Sequence, residues 1–136
     1  MELEQQLASV PLLAGLDARI RRRLSETGKR RTYDADTEIV KQGSTGTALY
    51  IVLSGTARVE RDGEAIGQLA AGDFFGELAL IEEHPRSASV VAATQTECLL
   101  FPAWEFTALL EEHPEIAVPI MRALIGRLHR REHHPA

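Results

Sequence analysis

The sequence predicts a mainly β domain with flanking helices: an antiparallel β-roll, jelly-roll-like, with helices before it and two closing helices after it. Three observations predict this. From Arg30 to Pro102, β-forming residues arrive in short runs punctuated by Gly43, Gly46, Gly55, Gly63, Gly67 and Gly72. An Asp62-Gly63 pair separates two such runs. Helical spacing of apolar residues is confined to the two ends of the chain. At 136 residues the chain has about the modal size of one domain, so residues 1–136 are expected to form a single unit: helical over 1–29, roll over 30–102, closing helices over 103–132.

In the first region Leu12, Leu13, Leu16, Ile20 and Leu24 recur at helical steps; Pro11 divides two short helices, and Asp17 is positioned to cap the second. Ala57–Arg61 and Glu64–Ile66 flank Asp62-Gly63, which supplies the two positive φ angles of a type I′ turn, so these runs should pair. Residues 48–53, 90–94 and 96–101 are further strands, the last ending at Pro102, which cannot donate to a ladder. Trp104, Phe106, Leu109 and Leu110 mark the first closing helix, with both aromatics expected in the core, and His113-Pro114 interrupts it. Ile116, Ala117, Ile120, Met121, Leu124, Ile125 and Leu128 form the stripe of the second, which starts near Pro119 or hinges there.

Composition narrows the function classes. Apolar residues make up 44% and charged residues 26%, ordinary globular values, and no stretch is long enough to cross a bilayer. The acidic start, Met1 to Gln6, does not resemble a secretory signal, so a cytoplasmic protein is expected. Net charge of −5 argues against a direct nucleic-acid binder, and Arg19, Arg21, Arg22 and Arg23 spread around a helix as a solvated face. Cys98 is the only cysteine and reads as a buried thiol.

One stretch departs from the strand pattern. Phe74-Phe75-Gly76-Glu77-Leu78-Ala79-Leu80-Ile81 looks like one helical turn set among strands. Its opening N–H groups lack intrahelical partners and would favour an anion such as phosphate. Arg86 follows nine residues after Glu77, far enough for the chain to return a guanidinium to the same anion, with the Ser87 hydroxyl beside it. A carboxylate at Glu77 would repel that anion unless it accepts hydrogen bonds, for instance from a sugar hydroxyl. Phosphate and sugar together point to a nucleotide, although offsets of this kind also arise by chance.

Gly76-Glu77-Leu78-Ala79-Leu80 followed by Pro85-Arg86-Ser87-Ala88 resembles the phosphate-binding cassette of cyclic-nucleotide-binding domains, such as those of cAMP-dependent protein kinase regulatory subunits and bacterial catabolite activators. The order of helices, Tyr50–Gly55, Gly72–Glu77 and closing helices extends the resemblance over nearly the whole chain. It implies that Glu77 accepts from the ribose 2′-hydroxyl and Arg86 neutralises the cyclic phosphate, while Gly76, Leu78 and Ala88 offer mainly backbone. Ser87 stands where the family varies among Ala, Ser and Thr, and a hydroxyl there can also meet a syn guanine, so the ligand is cAMP or cGMP, with cAMP favoured. Ser44-Thr45-Gly46-Thr47 lacks the acidic residue often found after this turn's glycine, a difference of turn chemistry rather than ligand contact.

The implied protein is a regulatory receptor, not an enzyme, with no cofactor and no metal. A bound nucleotide would pull on the cassette, 76–88, and the closing helices would repack over the base, with Leu124, Ile125 and Leu128 as lid residues. Only a short polar tail follows Leu128, so no output domain is expected; the partner would be an effector protein in trans or a second copy docked through the last helix. The alternative from another class is a protein-interaction module that keeps the fold and does not depend on nucleotide. No histidine is expected on a strand; His129 and His133 have a zinc-compatible spacing but no third ligand, and no hydrolytic triad is visible.

Overall fold

A computed structural model describes residues 3–76 and 84–132, with backbone only at His84 and over 128–132. By internal contacts the chain forms two compact units, residues 28–106 and residues 1–27 together with 107–136.

The first unit is the roll. Its strands are β1 (Lys29–Tyr33), β2 (Glu38–Val40), β3 (Thr45–Gly46), β4 (Ala48–Ser54), β5 (Thr56–Arg61), β6 (Glu64–Ala70), β7 (Phe74–Phe75), β8 (His84–Pro85), β9 (Ser89–Ala92) and β10 (Thr96–Pro102). They build two four-stranded sheets, in the orders β1-β10-β4-β7 and β2-β9-β5-β6, plus the small β3-β8 pair, and every pairing is antiparallel. The β5-β6 hairpin turns on Asp62 and Gly63, at φ 54° and 84°, as Asp-Gly chemistry requires.

Alternation explains the packing. Val52 opposes Cys98 and Tyr50 opposes Leu100 across β4 and β10. Val52 and Cys98 join Ala57, Leu69, Phe75 and Val90 in the roll interior, with Tyr33, Tyr50 and Leu100 packed against them. Leu49, Ile51, Leu99 and Phe101 point the other way and are buried too, which is why these strands read as near-continuous apolar runs. Phe101 meets Phe106 edge-to-face at 6.3 Å. Thr96 is fully buried, its hydroxyl donating toward the carbonyls of Thr56 and Thr94, 2.9 Å from each.

The second unit contains α1 (Leu3–Leu7), α2 (Ala18–Thr27), most of α3 (Ala103–Glu112), a 3₁₀ turn (Pro114–Ile116) and α4 (Ala117–Glu132). Asp17 caps α2, accepting the Arg19 N–H at 2.8 Å. Leu12, Leu13, Leu16, Ile20 and Leu24 are all buried, as their spacing requires. Pro119 lies in the first turn of α4, where its missing N–H costs no hydrogen bond, so the helix start is the correct reading and the hinge is not needed. No described helix is long and apolar enough to cross a membrane.

Four expectations are corrected. Phe74 and Phe75 are strand, not helix: they pair with Ile51 and Tyr50, a partner the local pattern could not reveal. His84 lies on a strand, opposite Gly46. Trp104 is 71% exposed, whereas Phe106 is fully buried. Arg21 is not on a solvated face: it is half-buried against Glu4 and the Leu16 carbonyl.

Candidate cyclic-nucleotide site

Arg86 follows directly on β8, and the short β3-β8 pairing carries it to the turn before β4. Its backbone is clamped in both directions: the Arg86 N–H donates to the Ser44 carbonyl and the Gly43 N–H donates to the Arg86 carbonyl, each at 2.8 Å. The turn that supplies these groups is itself braced. Gln42 exchanges two hydrogen bonds with Asp62 of the hairpin turn, at 3.0 and 2.9 Å, and its N–H donates to the Ser89 hydroxyl at 2.9 Å. Arg61 Nε donates to the Ser87 carbonyl at 3.1 Å, tying the far side of the segment to β5.

The guanidinium sits in a close-walled recess. Its Nη2 donates to the Ala48 carbonyl at 3.1 Å, and Cζ lies 5.8 Å from the centre of the Tyr50 ring. Ala48 offers its backbone oxygen and Tyr50, two residues further along β4, its ring. The remaining walls are glycines. A Cβ at Gly46 would overlap the guanidinium outright. At Gly76 it would stand 2.6 Å from both the Ala48 oxygen and Arg86 Nη1, and Gly76 has a φ of 84° that side chains rarely adopt. The Ser44–Thr47 turn therefore bears on the arginine directly, through Gly46.

Of the residues singled out in the sequence, the structure brings Gly76 and Arg86 together, leaves Ser87 exposed beside them and half-buries Ala88. Glu77 and Leu78 lie outside the described residues. Leu124 is half-buried and Ile125 is 53% exposed; the Leu128 side chain also lies outside. Sequence reasoning missed Gly46, Ala48 and Tyr50. Tyr50 carried a strand signal only, and nothing local marks a strand aromatic as the neighbour of an arginine 36 residues away.

The core against which Tyr50 packs is apolar. Burial pushes the Cys98 thiol up to about 12, with the Glu97 carboxylate adding to it, so this cysteine stays protonated. Burial, with Tyr50 and Cys98, likewise raises the Tyr33 phenol. Among the described residues no three His, Cys, Asp or Glu side chains gather to hold a metal.

An antiparallel roll with an arginine-bearing loop on its rim defines a class of small β-roll domains. The chain belongs to one family of that class: it matches the cyclic nucleotide-binding domain over residues 30–113. It is similar to the cAMP-dependent protein kinase regulatory subunit of Schizosaccharomyces pombe, with 34% identity over 90% of this chain and 29% of that one. Among solved structures it resembles the Thermus thermophilus catabolite activator protein, at 34% identity and a TM-score of 0.79, covering 90% of this chain and 60% of that one. It also resembles the cAMP-bound PfPKA-R fragment, at 28% identity and a TM-score of 0.79, covering 90% and 43%. The chain spans roughly a fifth to a third of the length of the curated relatives it matches.

Proposed function

We propose that residues 1–136 act as one regulatory module that binds cAMP in preference to cGMP. The observation that carries this reading is the Arg86 recess: a guanidinium whose described contacts are a carbonyl oxygen and an aromatic ring, walled by Gly46 and Gly76, at the place where the family cassette puts its phosphate ligand. The cyclic phosphate takes the Arg86 guanidinium and the backbone near Gly76 and Ala88, the ribose 2′-hydroxyl takes Glu77, and Leu78 and Ser87 complete the cassette. Similarity to a cAMP-dependent protein kinase regulatory subunit and to a cAMP-bound fragment favours the adenine nucleotide.

The module has no catalytic step of its own. Its output is a population shift in which the closing helices repack, with Leu124, Ile125 and Leu128 as lid residues, and a coupling of about 1–3 kcal/mol is enough to act as a signal. The signal passes to an effector protein in trans or to a second copy through α4, whose Val118, Met121 and Ile125 are exposed at steps of three and four. The expected setting is cytoplasmic.

Calorimetric titration of the purified chain with cAMP and with cGMP tests the reading. Binding at micromolar concentration or tighter, with cAMP ahead, supports it. Absence of heat and of thermal stabilisation at millimolar nucleotide, from folded and ligand-free protein, overturns it in favour of a nucleotide-independent interaction module.

A further inference from the structure

We propose that Tyr50 is a positioning residue for ligand recognition: its ring face holds the Arg86 guanidinium in register for the phosphate. The inference rests on the cyclic-nucleotide reading above. Arg86 is a long side chain with many rotamers, carried on a segment whose described ladder is the two residues His84 and Pro85. Something must hold its tip, and the strand β4 supplies two contacts, one from its backbone and one from a side chain. The Ala48 carbonyl takes one N–H edge at 3.1 Å, and the Tyr50 ring attracts the cation at 5.8 Å, within the range of about 6 Å over which a ring quadrupole acts.

The ring itself is fixed. Tyr50 stacks on Phe75 with centroids 4.7 Å apart and planes 8° from parallel, and the two residues are direct partners across β4 and β7. Phe75 is buried in the roll interior and lies next to Gly76, a wall of the same recess. Arginine, tyrosine, phenylalanine and glycine are thus one connected unit, in which the interior packing of the roll sets the orientation of a ring and the ring sets the orientation of a charge. None of these contacts neutralises the arginine. They remove its rotamer freedom before the ligand arrives, which leaves less to be lost on binding.

The test separates the ring's electrons from its bulk. cAMP affinity is measured for wild type, Tyr50→Phe, Tyr50→Leu, and a variant carrying fluorinated phenylalanine at position 50, which keeps the shape and weakens the quadrupole. Thermal melts confirm folding, and the side-chain Nε–H resonance of Arg86 in each protein reports its position over the ring. Tyr50→Phe is expected to bind within about twofold of wild type, while the fluorinated variant and Tyr50→Leu bind about three- to tenfold more weakly. The Arg86 resonance should lose its ring shift in Tyr50→Leu and keep it in Tyr50→Phe. Equal affinity in all four proteins, or an Arg86 resonance in wild type without any ring shift, overturns the inference. The second observation needs no variant and stands even where Tyr50→Leu does not fold. A wild type that binds neither nucleotide is a different failure: it removes the functional reading itself.

Discussion

Two arginines of the helical unit and Arg86 of the roll are held in different ways, although Arg30 and Arg58 of the roll pair with carboxylates as well. In the helical unit Arg21 is paired with Glu4 at 3.2 Å and Arg23 with Glu112 on α3. In the roll, Arg86 is held by a carbonyl oxygen and an aromatic face, with glycines for walls and no carboxylate among its described partners. An arginine opposite a carboxylate has its charge already matched. One held by neutral dipoles and a ring keeps its charge for an incoming anion. On the proposed reading Arg86 meets the ligand, while Arg21 and Arg23 serve the helical unit.

Breaking the recess is expected to give the largest effect. Gly76→Ala forces a side chain into a left-handed backbone conformation and into the Ala48 carbonyl and the guanidinium, at a cost of about 1–3 kcal/mol in stability. Nucleotide affinity should fall with it. Urea denaturation beside calorimetry measures both, and a Gly76→Ala protein with unchanged stability and affinity would show that Gly76 does not wall the recess.

An internal polar anchor should matter less, and only for stability. Thr96→Val removes a fully buried hydroxyl that serves the carbonyls of Thr56 and Thr94, and is expected to lower stability by about 1–2 kcal/mol without changing ligand affinity by more than about twofold. Chemical denaturation read against a cAMP titration separates the two quantities.

The smallest effect belongs to the exposed pair. Arg23 holds the Glu112 carboxyl below its ordinary value of 4.5 through a hydrogen bond and then through charge. A depressed carboxyl contributes stability above its unfolded pKa and loses that contribution as pH falls through the folded value. Melting temperatures of wild type and Glu112→Gln should therefore differ slightly at neutral pH and converge on acidification. The difference should shrink in high salt, because both side chains are about half exposed.

What could be read from the sequence follows the range of the interaction. Asp62-Gly63 and the Asp17 cap are decided within a few residues, and both were legible. The strands of the roll were legible as apolar runs, and Cys98 as a buried thiol, but with both faces of β4 and β10 covered the runs did not say which residues face the roll interior. Phe74 and Phe75 were not, since their strand character comes from Ile51 and Tyr50, more than twenty residues earlier. Trp104 and Phe106 share one helical pattern that does not say which side is covered, and only Phe106 is buried. At the site, Gly76 and Arg86 were visible as a motif. Gly46, Ala48 and Tyr50 became visible only when β3 and β8 paired and carried Arg86 across β4.

The most direct test of the comparison is one titration of cAMP into wild type, Arg86→Ala and Arg23→Ala under identical conditions. Truncating a charge that meets the ligand in a desolvated site costs about 2–5 kcal/mol, a loss of roughly thirtyfold to several thousandfold. Arg86→Ala should show that loss while still folding, and Arg23→Ala should bind as wild type does. Equal affinity for Arg86→Ala and wild type, or an equal loss in both variants, would contradict the account.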